Sequence, residues 1–231
     1  MKSFNIQDQN KKYHLHFHKL AENNDSKTSA ELSVGGDFDR IGKIEFALLK
    51  KFGLKNHHSI IDVGCGSGRL AKEIPINHSG GYTGTDVVPE LVEHAKSISQ
   101  NKNLIFKIVE DIKIPVPDSS ADFICFFSVF THLLHEQTYK YLIEAKRVLR
   151  KDGYIILSFL EFRIKSHWSV FEHNVKEGQI HLNMFMDRDA ITIWAHKLNL
   201  KVYKFLDGDQ KQVELYKGKD SLGQSVAILK G

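Results

Sequence analysis

The chain has 231 residues, 42% hydrophobic and 26% charged, which suits one α/β domain with a small appendage better than two full domains. The net charge of +4 is a mild basic excess; pairs such as Lys50-Lys51 and Arg150-Lys151 are scattered among acids, as on solvated helix faces rather than in a nucleic-acid groove. Two cysteines, Cys65 and Cys125, cannot build a disulfide framework. No window approaches the roughly 20 apolar residues of a membrane span, and "MKSFNIQDQN" lacks a signal-peptide core, so no membrane partner and a cytoplasmic location are expected.

Residues 1–36 are polar and histidine-rich and read as an N-terminal arm or lid, in part helical, ahead of a main domain at 37–231. His14, His16 and His18 would share one face of a strand and could there bind a metal. On a helix they fan apart, and no carboxylate or cysteine stands at ligand spacing, so no metal is assigned. Ile41, Ile44, Leu48 and Phe52 recur every three or four residues, a helical stripe stopped by Gly53.

From there strands and helices alternate. "SIIDV" reads as a buried strand, "GRLAKEI" as a helix closed by Pro75, "GYTGTDV" as a second strand and "PELVEHAKSIS" as a helix with proline in its first turn. "LIFKIVE" and "ADFICFFSV" are the third and fourth strands. "TYKYLIEAKRVLRKDG" is an amphipathic helix ending in glycine, and "YIILSFL" is a fifth strand. Residues 161–186 lack a clean period and read as an insertion capping the substrate. A helix in "DRDAITIWAHKLNL" and two closing strands, "KVYKFL" and "QSVAILK", complete the chain. Strands apolar on both faces and separated by helices imply a doubly wound, mostly parallel, Rossmann-like sheet of seven strands, with an antiparallel strand at one edge.

The loop after the first strand, "DVGCGSG", should open at the ligand crevice of such a sheet. It ends in Gly68-Arg69-Leu70 and lacks the Lys-Ser/Thr pair of a P-loop. Its glycines fall at 64, 66 and 68, one position off the G-x-G-x-x-G spacing of dinucleotide binders, which leaves NAD as the runner-up.

Together with Asp62, this loop resembles motif I of the class I S-adenosylmethionine-dependent methyltransferases. Asp86, ending "YTGTD", matches the family acid that takes the two ribose hydroxyls, a task a carboxylate suits because it accepts from both. Asp111-Ile112 resembles the pair that meets the adenine. "ADFICFFSVFTHL" resembles motif IV, and "EAKRVLRKDGYIILS" is similar to a family segment with proline-glycine where Lys151-Asp152-Gly153 stands here. The resemblance spans about residues 40–160. It implies S-adenosyl-L-methionine as cofactor, held by Asp62, Gly64, Cys65, Gly66, Gly68, Asp86, Val87, Asp111, Ile112 and Ser128. Asp62 would face the ammonium group, or only organise the loop's N–H groups.

His132 and His135 follow the fourth strand and should reach its C-terminal rim, where a base of near-neutral pKa could take an acceptor proton; His132 is the main candidate. Trp168, Phe171 and His173, with His167 and His181, are the substrate-facing candidates of the cap, fitting a ring or sugar. The fourth-strand motif reads Phe126-Phe127-Ser128-Val129 and not the Asn/Asp-Pro-Pro-aromatic tetrad of many base and amide N-methyltransferases. The expected reaction is therefore O-methylation of a small-molecule acceptor, a hydroxylated metabolite or sugar. RNA or protein methylation, and non-catalytic cofactor binding, remain as alternatives, and nothing in the sequence sets the oligomeric state.

Overall fold

The computed structural model describes residues 6–177, 183–216 and 218–231; His181 of the expected cap lies outside them. Seven strands form the central sheet: β1 (Ile60–Val63), β2 (Tyr82–Asp86), β3 (Ile105–Ile108), β4 (Ala121–Phe126), β5 (Leu149–Phe159), β6 (Lys201–Leu206) and β9 (Ser225–Lys230). Their order is β3-β2-β1-β4-β5-β9-β6. The pairs among β1 to β5 are parallel, whereas β9 runs antiparallel to both β5 and β6 and sits one place in from that edge. The chain reverses its direction of winding between β1 and β4, so the crevice beyond their C-terminal ends is where a ligand is expected.

Successive residues of a strand point to opposite faces, and each face has its own core. Ile61, Val63, Ile124 and Ile155 pack on one side with α6 (His135–Val148) and α8 (Arg188–Lys197). On the other side Ile60, Phe123 and Ile156 meet Ile44, Leu48 and Leu49 of α3 (Phe38–Lys51). That is the stripe read from the sequence. Asp37 caps the start of α3 by accepting from Arg40 N–H, and Gly53 follows its end with φ 91°.

The arm is two helices, α1 (Ile6–Ala21) and α2 (Ser26–Ser33), the second capped by Asp25. Helical geometry sets His14, His16 and His18 about 200° apart in turn, so the shared face a strand would offer is lost. The remaining helices are α4 (Arg69–Glu73), α5 (Pro89–Ile98) and α7 (Lys165–Glu177).

Three expectations are corrected. The helix expected to run to Gly153 ends at Val148, because Leu149 turns extended, buries its side chain and pairs with Ala121. The Lys151-Asp152-Gly153 segment then forms an irregularity inside β5, with Asp152 at φ 65°. Within the cap expected to be irregular, Lys165–Glu177 forms the regular helix α7, whose period is hard to read because its one buried residue is a histidine, His167. The polar connection before β9 folds into a hairpin, β7 (Val213–Leu215) and β8 (Gly218–Asp220), tied to α3 by the Arg40–Asp220 fork.

Candidate active site

At the end of β1 the chain bends through Gly64 and Gly66, both with positive φ. The Gly64 and Cys65 N–H groups donate to Thr85 O at 2.8 and 2.9 Å, anchoring the loop to β2. A Cβ on Gly64 would stand 2.5 Å from Val129 Cγ2, and one on Gly66 2.5 Å from Val34 Cγ1. The missing side chains thus let the turn after β4 and the end of the arm close on the loop.

These segments enclose a cavity of about 180 Å³. Its walls are the glycine loop, Thr85–Val88 at the end of β2, Val109–Asp111 after β3, and the turn after β4 with His132. Ile6, Asn10, Tyr13 and His16 of α1 contribute a further wall, and Tyr141 of α6 another. The Asn10 side chain donates to Glu110 O at 3.0 Å, which ties α1 to the loop after β3.

Acids dominate the polar lining. Asp86 Oδ2 accepts from Gly66 N–H at 2.9 Å and Oδ1 from Val88 N–H at 3.0 Å. Burial raises its pKa against those two bonds. Asp62 is buried and accepts from Tyr82 Oη–H at 2.7 Å; burial, then the charge of Glu45, push its carboxyl up to about 7. Glu45 of α3 pairs with Arg69 Nε at 2.8 Å, and burial nonetheless raises its pKa. Tyr141 is pushed up to about 12 and Tyr13 is raised too, chiefly by burial and then by Asp86, so both remain phenols at neutral pH.

Of the residues expected from the sequence, Asp62, Gly64, Cys65, Gly66, Asp86, Val87, Asp111, Ser128 and His132 line the cavity together. Gly68 does not: a Cβ there would meet Ala95 at 2.7 Å, so its role is the close packing of α4 on α5. Ile112 packs its side chain against the sheet core. His135 starts α6 and is turned away, its Nε2 3.0 Å from Phe185 O and its ring on Trp194.

Trp168, Phe171 and His173 lie on α7 outside the cavity lining. Trp168 and Phe171 join Phe162 and Phe185 in an aromatic group, with Phe162 stacked on Phe185 at 4.6 Å. His173 is exposed. His167 is buried, its Nδ1 accepting from Glu161 N–H at 3.0 Å and its Nε2 2.9 Å from Gly223 O, which makes it a structural clamp.

The residues missed from sequence are Glu45, Arg69, Tyr13, Asn10 and Tyr141. A charged residue on the buried stripe of α3, as Glu45 is, was the one legible signal among them.

The arrangement can hold a cationic ligand bearing hydroxyls. Five acidic residues (Glu45, Asp62, Asp86, Glu110 and Asp111) line the cavity with one guanidinium, and Thr85 Oγ1, also in the lining, is buried without a partner. Such a site fits the sulfonium, ammonium and ribose of the expected cofactor.

Comparison with known proteins agrees. Residues 61–157 match the family model described as a methyltransferase domain. A magnesium protoporphyrin IX methyltransferase from Synechocystis, solved with bound S-adenosylhomocysteine, superposes with a TM-score of 0.63 at 13% identity, over 88% of this chain and 86% of that one. An S-adenosylmethionine-dependent methyltransferase from Methanosarcina mazei gives 0.58 at 18%, over 79% and 96%. A TehB-like one from Corynebacterium glutamicum gives 0.59 at 16%, over 93% and 97%. Residues 61–157 thus match a methyltransferase domain, set in the Rossmann-like fold that these methyltransferases share. Among the described residues no helix is long and apolar enough to cross a membrane.

Proposed function

We propose that the enzyme methylates a hydroxyl oxygen of a small metabolite or sugar, with His132 as general base. The observation that carries this reading is the meeting of His132 and Tyr13 in the cofactor cavity, ring centroids 5.6 Å apart and planes at 71°. A hydroxyl becomes an effective nucleophile as it loses its proton, and imidazole titrates in the right range to take it.

S-adenosylmethionine supplies, when bound, a methyl group already activated on sulfur. The protein's share is binding, alignment and exclusion of water. In this reading Asp86 accepts from the ribose hydroxyls, Asp111 and the Ile112 backbone meet the adenine, and Asp62 faces the ammonium. His132 receives the acceptor's hydroxyl proton as an oxygen–carbon bond replaces the carbon–sulfur bond. Tyr13, held as a phenol, donates to the acceptor oxygen, and α1 covers the reacting centre.

Trp168 and Phe171 offer the acceptor's carbon skeleton an apolar shelf beside the cavity. Their partner Phe185 follows Met184, whose N–H donates to Thr131 O at 2.7 Å, next to His132. Phe162 and Trp168 are each 44% exposed, as a docking face requires.

The test is transfer from methyl-labelled cofactor to separate pools of sugars, phenols, other hydroxylated metabolites and RNA. Label in a hydroxylated small molecule, lost in His132→Ala, is expected. Label confined to RNA would overturn the reading.

A further inference from the structure

Ser128 opens the turn that carries Val129 and His132, and it does so at φ 59°, a left-handed conformation that strains a non-glycine residue. A closed ring of hydrogen bonds holds it there. Ser128 N–H donates to Ser158 Oγ at 2.7 Å, Ser158 Oγ–H donates to Gln224 Oε1 at 2.7 Å, and Gln224 Nε2–H donates back to Ser128 Oγ at 3.1 Å.

The direction of that ring is decided by burial. With the Gln224 amide turned over, the Ser158 hydroxyl would lose its acceptor, and Ser158 is wholly buried on β5. With the amide as it stands, Ser158 is satisfied and Ser128 Oγ becomes the acceptor. Arg69 Nη2 also donates to Ser128 Oγ, at 3.4 Å. A hydroxyl has two lone pairs and one hydrogen, and both lone pairs of Ser128 are now engaged. Its hydrogen is left to donate, and Ser128 lines the cavity beside Arg69 and next to Val129, which touches the glycine loop. A donor beside a guanidinium suits a carboxylate.

We infer that Gln224, 96 residues further along the chain, is a positioning residue: through Ser158 it makes the Ser128 hydroxyl an obligate donor to the carboxylate of the cofactor's amino-acid end. The inference rests on the cofactor assignment above. It gives the residue that leads into β9, far along the chain from the glycine loop, a part in ligand recognition.

Gln224→Glu tests it with almost no change in shape. An ionised Glu can only accept, so it draws the Ser128 hydrogen out of the cavity. Calorimetric binding is measured with S-adenosylmethionine and with its decarboxylated form, alongside the melting temperature. The variant is expected to bind S-adenosylmethionine about tenfold more weakly and the decarboxylated form as the parent does. Ser128→Ala should show the same pattern, and the double variant should lose no more than either single one. Equal losses for both ligands, or none for either, would overturn the inference while leaving the cofactor assignment intact. A parent protein that binds neither ligand would overturn both.

Discussion

Tyr13 of α1 meets His132 of the β4 turn ring edge to ring, centroids 5.6 Å apart, so that a residue from the arm and one from the C-terminal rim of the sheet share a single cavity. The arm therefore forms one wall of that cavity. In turnover measurements with the identified acceptor, His132→Ala should cost about 10²–10⁴-fold in rate. Tyr13→Phe, which removes only the hydroxyl, should cost about tenfold, the worth of one hydrogen bond to a reacting group. Calorimetric affinity for S-adenosylhomocysteine should stay within about twofold in both variants if the pair serves the acceptor.

Asp62 should make the stability of the ligand-free protein depend on pH. Its carboxyl is pushed up to about 7 by burial and then by Glu45, against the Tyr82 hydroxyl and Arg69. The folded protein therefore holds this proton more tightly than the unfolded chain, whose aspartates titrate near about 4. Asp62's contribution to stability is full below that value and is lost as the pH rises through 7. Melting temperature without ligand should fall between pH 5 and 8 more steeply in the parent than in Asp62→Asn.

Cofactor binding should move the other way over the same range. A cationic ligand selects the ionised carboxylate, so affinity for S-adenosylmethionine should rise toward pH 8, by up to about tenfold per unit below the pKa. Calorimetry in buffers of differing ionisation enthalpy should detect proton release at pH 6 that Asp62→Asn lacks.

The Glu45–Arg69 pair, at 2.8 Å and nearly out of solvent, should be costly to break from one side. Arg69→Met leaves a buried carboxylate alone and should cost about 3–5 kcal/mol in urea unfolding. Glu45→Leu combined with Arg69→Met should recover most of that stability, but not affinity for S-adenosylmethionine, because the cavity has lost its guanidinium.

Gly64→Ala should destabilise by about 1–3 kcal/mol, since φ 70° strains alanine and its Cβ would stand 2.5 Å from Val129 Cγ2. A double-mutant cycle with Val129→Ala should show coupling from relief of that contact. Denaturant midpoints measure it.

Much of this molecule was legible in one dimension because its signals are local. Apolar runs such as "SIIDV" and "ADFICF" can only be strands buried on both faces, and the glycine spacing after Asp62 sets a bend that few ligands fit. The family match over 61–157 falls where those signals are densest. Where local pattern and burial disagreed, the pattern misled. Arg150-Lys151-Asp152-Gly153 continues a helical stripe, yet Leu149 is worth more paired with Ala121 and buried. Likewise the histidines of the cap looked alike in sequence, but His167 is a buried clamp and His173 is solvated.

The sequence by itself determined the strands, their alternation with helices and the carboxylate-led glycine bend, because periodicity and glycine conformation act over a few residues. Only the tertiary structure decided which side chains share the cavity. Tyr13, Glu45, Arg69 and Tyr141 come from elements far apart in the chain, and His135 is three residues from His132 yet faces Phe185. Convergence of that kind depends on how helices pack on the sheet, and the energy of packing resides in contacts between distant segments, which no short stretch of sequence contains.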